Sequence, residues 1–274
     1  EALNYAEKGV QEEPDYPWIW LQVGKLRSHF GNKTGALEAV AHGLALEPGD
    51  YEFLTLKQEI EHGAPLEQME FEEVDFWPEL QEIMDWTKTH VMSTIHLCWG
   101  AQAALYHHFG MKKKQLDKKM FGLFWHKVSN RKIPLVRGFD DVFLAPHSRH
   151  TEISAEDIHN CEELVVLAES DEAGVFLCMT KDGRQIFVMG HPEYDRVTLD
   201  GEYKRDLGKG LPIEMPVNYY HEDNPENPPL LMWRSHANNF YTNWLNYYVY
   251  QVTPYDLKGT PDFSRKYGPM WEER

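Results

Sequence analysis

The sequence predicts an α/β domain preceded by a short all-α segment, with the division near residue 62. Three observations predict it. The first 60 residues repeat themselves at an interval of 34. After Gly63, short apolar runs alternate with helical patterns. One cysteine, Cys98, sits where an apolar run passes into a helix.

The repeat comes first in the chain. Shifted by 34, "EALNYAEKGVQEEPDY" lies over "GALEAVAHGLALEPGDY". Ala2 then falls on Ala36, Leu3 on Leu37, Gly9 on Gly43 and Pro14 on Pro48. Small residues let antiparallel helices approach, and proline opens the next one. This period and these positions resemble the tetratricopeptide repeat, at under two full copies. Helices are expected at about 1–13, 17–30, 34–46 and 50–61. The second carries Trp18, Leu21 and Leu26 on one face and should stop at Gly31-Asn32.

The stretch from Gly63 to Cys98 reads as loop, helix and strand. Strands are then expected at "IPLVRGF" (133–139), "DVFLAPH" (141–147), "LVVLAES" (164–170), "GVFLCMT" (174–180) and "QIFVMGHPEY" (185–194). A helix is expected at "TLDGEYKRDLGKG" (198–210). This alternation indicates a largely parallel sheet, with 164–169 and 174–179 close enough for a hairpin. Sites in such sheets gather at the strands' carboxyl ends.

Composition narrows the function classes. A net charge of -17 repels phosphate backbones and anionic lipid, so nucleic-acid and membrane partners are not expected. No apolar run reaches the ~18 residues of a membrane span. No signal-peptide pattern opens the sequence, and the cysteines (Cys98, Cys161, Cys178) are few and odd in number. A cytoplasmic location is therefore expected, with room for one reactive thiol.

In "STIHLCWGAQAALYHH", Ile95 and Leu97 alternate with Thr94 and His96, and Ala101, Ala104, Leu105 and His108 come after at helical spacing. A strand, a sharp turn bearing a nucleophile and a helix make a nucleophile elbow. The helix N-terminus sets partial positive charge and free N–H groups beside the sulfur, favouring thiolate. An ordinary buried cysteine at a strand end has the same local signature. A thiol nucleophile needs a base, and the base a partner. "VMGHPEY" offers both, because His191 and Glu193 point to one side of an extended segment. Glu193 can then fix the ring of His191, completing a Cys98–His191–Glu193 triad. His-Pro is also common in turns, and the chain has fourteen histidines. An elbow cysteine with His-x-Glu after a strand resembles the class I glutamine amidotransferases. That likeness implies a flavodoxin-like three-layer domain.

Longer words sharpen the resemblance. "CWGAQAALYHHFG", "RGFDDVFLAPHSRHTE", "GHPEYD" and "WRSHANNFYTNWLNYYVYQVTPYDL" strongly resemble the homoserine O-acyltransferases of methionine biosynthesis, the MetA family, over residues 63–257. The resemblance implies a cysteine acyl-thioester on Cys98, with His191 as general base supported by Glu193. It implies substrate contacts from Lys119 and Ser148, with Arg205 on the homoserine carboxylate and Glu202 near its amine. Without the family, Glu202 and Arg205 read as a solvated i, i+3 helix pair, and Lys119 as one surface lysine among several. The residue after "GAP-apolar" separates acetyl from succinyl enzymes in the family. Here it is Glu67, whose bulk and charge would repel a succinyl carboxylate, so acetyl-CoA is the expected donor. Glu67 also lies among Glu70, Glu72 and Glu73, as an acidic loop residue would.

The resemblance also implies a gap. The family opens with a strand-rich segment whose "L-N-L-M-P" word resembles the source of an oxyanion contact and a central strand. That word is absent, and "LTLKQEIEH" continues the helical pattern instead. The expectation is therefore an acyltransferase-like domain at 63–274 lacking its N-terminal strands, joined to a helical segment at 1–61. Its partners would be L-homoserine and acetyl-CoA as co-substrate, with a homodimer and a protein bound by the helices as further partners. No cofactor is expected. No metal is expected either, since His107, His108, His147 and His150 show no ligand spacing. The alternative is an inactive or incomplete fusion chain whose helices bind protein. A glutamine amidotransferase is less favoured, since the words around Arg205 and 233–249 fit the acyltransferase.

Overall fold

The computed structural model describes residues 2–208 and 210–253. The end of the domain expected at 63–274 therefore lies outside the described residues from 254 onward.

Four helices open the chain: α1 (Ala2–Glu12), α2 (Pro17–His29), α3 (Lys33–Leu46) and α4 (Tyr51–His62). Local chemistry sets their ends. Pro17 fits the first turn of α2, where its missing N–H costs nothing. The Asn32 side chain accepts from Gly35 N at 3.0 Å, and that of Asp50 from Phe53 N at 3.1 Å. Gly63 closes α4 at φ 76°, in the left-handed region. A small residue sets one helix contact. A Cβ on Gly43 would stand 2.0 Å from the Phe53 ring, so α3 and α4 meet only because that position is glycine. Leu21, Ala36, Val40, Phe53, Leu56 and Ile60 form an apolar cluster of their own. Of the apolar residues on α2, Trp18 is exposed, and Leu21, Val23 and Gly24 are buried. Two of the links from α4 onward are a Gln58 side-chain bond to Glu73 O at 2.9 Å and a tilted Tyr51–Phe76 ring contact.

The second part holds α5 (Trp77–His90), β1 (Thr94–Leu97), α6 (Trp99–Phe109), β2 (Lys113–Val128), β3 (Val142–Ile153), α7 (Ala155–His159), β4 (Leu164–Ser170), β5 (Gly174–Thr180), β6 (Gln185–Val188), α8 (Thr198–Gly208) and α9 (Arg234–Trp244). The strands form one sheet in the order β1-β6-β5-β4-β2-β3. The expectation of a largely parallel sheet is corrected, because among the strands of the described residues only the β1–β6 pair is parallel and the other four pairs are antiparallel. The physical reason is connection length. Residues 171–173 and 181–184 join β4 to β5 and β5 to β6, far too short for a parallel crossover. Segment 133–139 is likewise no strand but a 3-10 turn at Pro134–Val136, where proline lacks the N–H a ladder needs. The run from 185 leaves the sheet after Val188. Strand β2 escaped the sequence reading because lysines and Asp117 break its apolar pattern, and its pairing with β3 shifts register between Gln115 and Met120.

Three layers result. Side chains of α5, α6 and α7 cover one sheet face, packing on Val175, Cys178 and Phe187. The 3-10 turn and α9, prolonged by a π-helical turn at Leu245–Tyr250, cover the other over Leu177, Ile186 and Val188. Leu199 of α8 joins Tyr219, Tyr220 and Trp233 over the β2–β3 hairpin. Among the described residues β1 has no neighbour on its outer side, and all four of its residues are half-buried. No helix among them is long and apolar enough to cross a membrane.

Candidate active site

The parallel β1–β6 pair positions the site. Leu97 lies opposite Val188, so β1 and β6 end side by side and deliver Cys98 and the loop to His191 to the same end of the sheet. Cys98 caps α6 at φ 46°, ψ -113°, a strained conformation for a residue with a Cβ. Its N–H donates to Val188 O at 2.7 Å, which ties the turn to β6. The thiol is buried. On the other strand, Met189 N donates to Phe176 O at 2.8 Å and His191 N to Pro146 O at 2.9 Å. Between them Gly190 passes so close to the sheet that a Cβ would stand 2.8 Å from both the Phe176 ring and Pro146 O. Glycine there is what lets the loop turn and aim the imidazole.

His191 Nδ1 lies 2.7 Å from Glu193 Oε1, and the ring also hydrogen-bonds Cys98. With Nδ1 so engaged, Nε2 is left for the sulfur. Burial favours the neutral ring, but the hydrogen bonds and negative charges of Cys98 and Glu193 outweigh it and raise its pKa to about 10. That environment favours the protonated ring of His191. Tyr194, which the sequence reading passed over inside its own "HPEY" word, stacks on the imidazole at 4.1 Å.

A second cluster converges from β2, β3 and α8. Glu202 accepts from Ser148 Oγ at 2.6 Å, Lys119 Nζ at 3.1 Å and Tyr194 O–H at 3.1 Å. Tyr194 thereby joins this cluster to the imidazole. Glu202 and Lys119 are each about 15% exposed, so the pair is no solvated surface contact. The i, i+3 pairing of Glu202 with Arg205 does not form. Arg205 grips its neighbour Asp206 instead, at 2.6 and 3.0 Å, and remains half-exposed. Lys119 lies 3.9 Å from Asp206 and 4.2 Å over the Phe121 ring.

Glu67 sits in a 3-10 turn, Leu66–Gln68, and its carboxylate accepts from the backbone N–H groups of His150 and, at 3.2 Å, Thr151. Arg149 lies beneath, 2% exposed, donating to Thr151 O and Ala173 O at 2.8 Å each. Burial lowers its pKa, while the charges of Glu152, Cys98 and Glu67 oppose that. Arg149 is thus a buried cation electrostatically coupled to both the thiol and Glu67. No sequence pattern singled it out. Below it, His147 and His126 meet at 3.1 Å between their Nε2 atoms. Burial holds both in the neutral form, His126 down to about 3.

Fold and site together define an α/β protein with a buried cysteine at a strand-to-helix turn, a histidine held by a carboxylate beside it, and a polar cluster around Glu202 joined to that histidine through Tyr194. The family description homoserine O-succinyltransferase matches residues 58–255, and the chain belongs to that family. A homoserine O-acetyltransferase of Lachnoclostridium phytofermentans is 68% identical over 195 residues, covering 71% of this chain and 65% of its own length. One from Agathobacter rectalis is 66% identical over 195 residues, covering 71% and 63%. One from Phocaeicola vulgatus is 52% identical over 236 residues, covering 85% and 76%. The chain thus spans a little under two-thirds of the length of the first two. Solved structures with a likeness include a glutamine amido transferase of Methylobacillus flagellatus (TM-score 0.45, 12% identity, 68% of this chain and 81% of that one) and a glutamine amidotransferase of Thermotoga maritima (TM-score 0.44, 12% identity, 63% and 66%).

Proposed function

We propose that the chain transfers an acetyl group from acetyl-CoA to the hydroxyl of L-homoserine through a thioester on Cys98. The observation that carries this reading is the Cys98–His191–Glu193 chain of hydrogen bonds at a strained elbow. The names of the relatives, homoserine O-acetyltransferases at 52–68% identity, support the acceptor and the donor.

The residues then take these roles. The Cys98 thiolate attacks the thioester carbonyl of acetyl-CoA, and the CoA thiolate leaves with the proton of His191. Partial positive charge at the N-terminus of α6 offsets the oxyanion. Once acetylated, the sulfur carries no charge, so one of the influences that raises the His191 pKa disappears and the ring can act as a base. It takes the homoserine hydroxyl proton as that oxygen attacks the acetyl carbonyl, and Cys98 leaves as thiolate. Glu193 holds the ring throughout. Glu202 receives the homoserine ammonium beside Lys119 and Ser148. Arg205, half-exposed, turns from Asp206 to clamp the carboxylate. Glu67, fixed by two backbone N–H groups, fills the acyl pocket where the free carboxylate of a succinyl group would lie.

A second reading rests on the outer side of β1, which has no neighbour among the described residues. On it the chain is an incomplete fusion without activity, and its tetratricopeptide-like helices bind a protein partner. A cytoplasmic location and a homodimer belong to the first reading. Incubation of the purified chain with acetyl-CoA and L-homoserine, then mass spectrometry of the amino acid, separates the two. O-acetylhomoserine formed by the chain and not by Cys98→Ser supports the first. Equal product from both proteins, or none from either, removes it.

A further inference from the structure

On the opposite side of α6 from the elbow turn, the end of that helix meets α5. There His107 Nε2 lies 3.0 Å from Asp85 Oδ1, and His108 is the next residue. The donor atoms of all three residues fall within 4.8 Å of one another. We propose that Asp85, His107 and His108 form a site for a borderline divalent metal ion of the zinc type, clamping α5 to α6.

Four observations carry it. The first is donor chemistry: two imidazoles and one carboxylate are the set that zinc and its analogues take, with a fourth position left to water. The second is spacing. Ligands about 2.0–2.1 Å from a tetrahedral ion stand roughly 3.3 Å apart, close to the His107–Asp85 separation. A donor nitrogen of His108 lies within 4.8 Å of both other donor atoms. The third is support behind the ligand. His107 Nδ1 lies 3.2 Å from the Gln81 side-chain amide, and its ring stands edge-on to Trp77. Metal-bound histidines use a polar partner on the far nitrogen in this way to fix the ring. The amide can turn its oxygen to that nitrogen when Nε2 takes the ion.

The fourth observation is the most specific. Both ring nitrogens of His108 are buried and have no hydrogen-bond partner. Buried polar atoms are nearly always paired, and an orphaned imidazole beside a carboxylate and a second imidazole is a lone pair without a ligand. A cleft of about 720 Å³, lined by Lys88, His108, Arg184 and Gln185 among others, opens beside it and gives an ion a way in. One cation competes: Lys88 Nζ lies 4.0 Å from Asp85 Oδ1 on a half-exposed side chain. Nothing in the sequence pattern hinted at the site. Adjacent histidines have no recognised ligand spacing, and Asp85 lies 22 residues before His107 on another helix.

The test uses the full chain with Cys98 alkylated, so that the thiol cannot serve as a ligand. Zinc is titrated calorimetrically, and cobalt(II) is titrated as a visible reporter. The expected result is one ion per chain, a higher melting temperature with zinc, and cobalt bands without thiolate charge transfer. Asp85→Asn and His108→Gln should each weaken binding at least ~10-fold. Asp85 is exposed, so its variant folds whatever becomes of the half-buried His108. Absence of binding, affinity unchanged in Asp85→Asn, or a thiolate charge-transfer band would overturn the proposal and leave Asp85–His107 an ordinary ion pair.

Discussion

Replacing Glu193 by glutamine keeps its size and an accepting oxygen but removes the charge that holds His191. The Nδ1–Oε1 distance is 2.7 Å, and a hydrogen bond to a charged group is worth ~1.5–3 kcal/mol. The glutamate is 39% exposed, so solvent screening leaves roughly half of that, about 1 kcal/mol. That corresponds to a little under one pH unit at the ring and a change of several fold to ~10-fold in acylation rate. The pH dependence has a definite sign. His191 titrates at about 10 in the folded chain and near ~6.5 unfolded. Its contribution to stability is therefore complete below about 6.5 and is lost as pH rises through about 10. Scanning calorimetry of wild type and Glu193→Gln between pH 6 and 10 should show melting temperatures ~2–4 °C apart at the acid end and converging at the alkaline end. CoA release in the first turnover should slow in parallel. A gap that is constant with pH, or an unchanged first turnover, would refute the coupling of Glu193 to the ring.

Particular contacts dictate three further outcomes. Glu67→Gly should raise kcat/KM for succinyl-CoA relative to acetyl-CoA, and Glu67→Gln, which keeps volume but not charge, should show how much of that shift is electrostatic; an unchanged ratio in both would make Glu67 a loop residue only. Gly43→Ala should destabilise the helical segment by ~1–3 kcal/mol, because the added methyl meets the Phe53 ring at 2.0 Å, and calorimetry should show no such loss for the exposed Gly49→Ala beyond its backbone strain. Burial keeps His126 neutral down to about 3, so the unfolded chain takes up a proton there below ~6.5 that the folded chain refuses; stability should fall through this range, and His126→Phe should flatten that acid limb.

Much of the architecture was legible because local chemistry dictates it. The 34-residue repeat located four helices to within a residue or two, and strands β4 and β5 were read to the residue from their apolar runs. The elbow and the His-x-Glu word were legible because each is a local pattern. Strand direction was not. The alternating grammar suggested a parallel sheet, whereas the three- and four-residue links between β4, β5 and β6 already required hairpins. Strand β2 stayed hidden because its first half projects lysines to solvent and so lacks an apolar period. The convergence of Lys119, Ser148 and Glu202 depends on three separated elements, and only the family words pointed to it. Arg149 and Tyr194 stayed hidden for a different reason. A buried arginine and a stacked tyrosine gain their meaning from what surrounds them, and sequence spacing does not carry that.

In the proposed reaction Cys98 carries the acyl group. Incubating the chain with acetyl-CoA alone, quenching in acid and mapping the adduct by mass spectrometry tests it directly. One acetyl group is expected, on Cys98 and on neither Cys161 nor Cys178, and it should disappear when L-homoserine is added before the quench. Acetylation at Cys161 or Cys178 with Cys98 unmodified, or a Cys98 adduct that homoserine does not discharge, would contradict it.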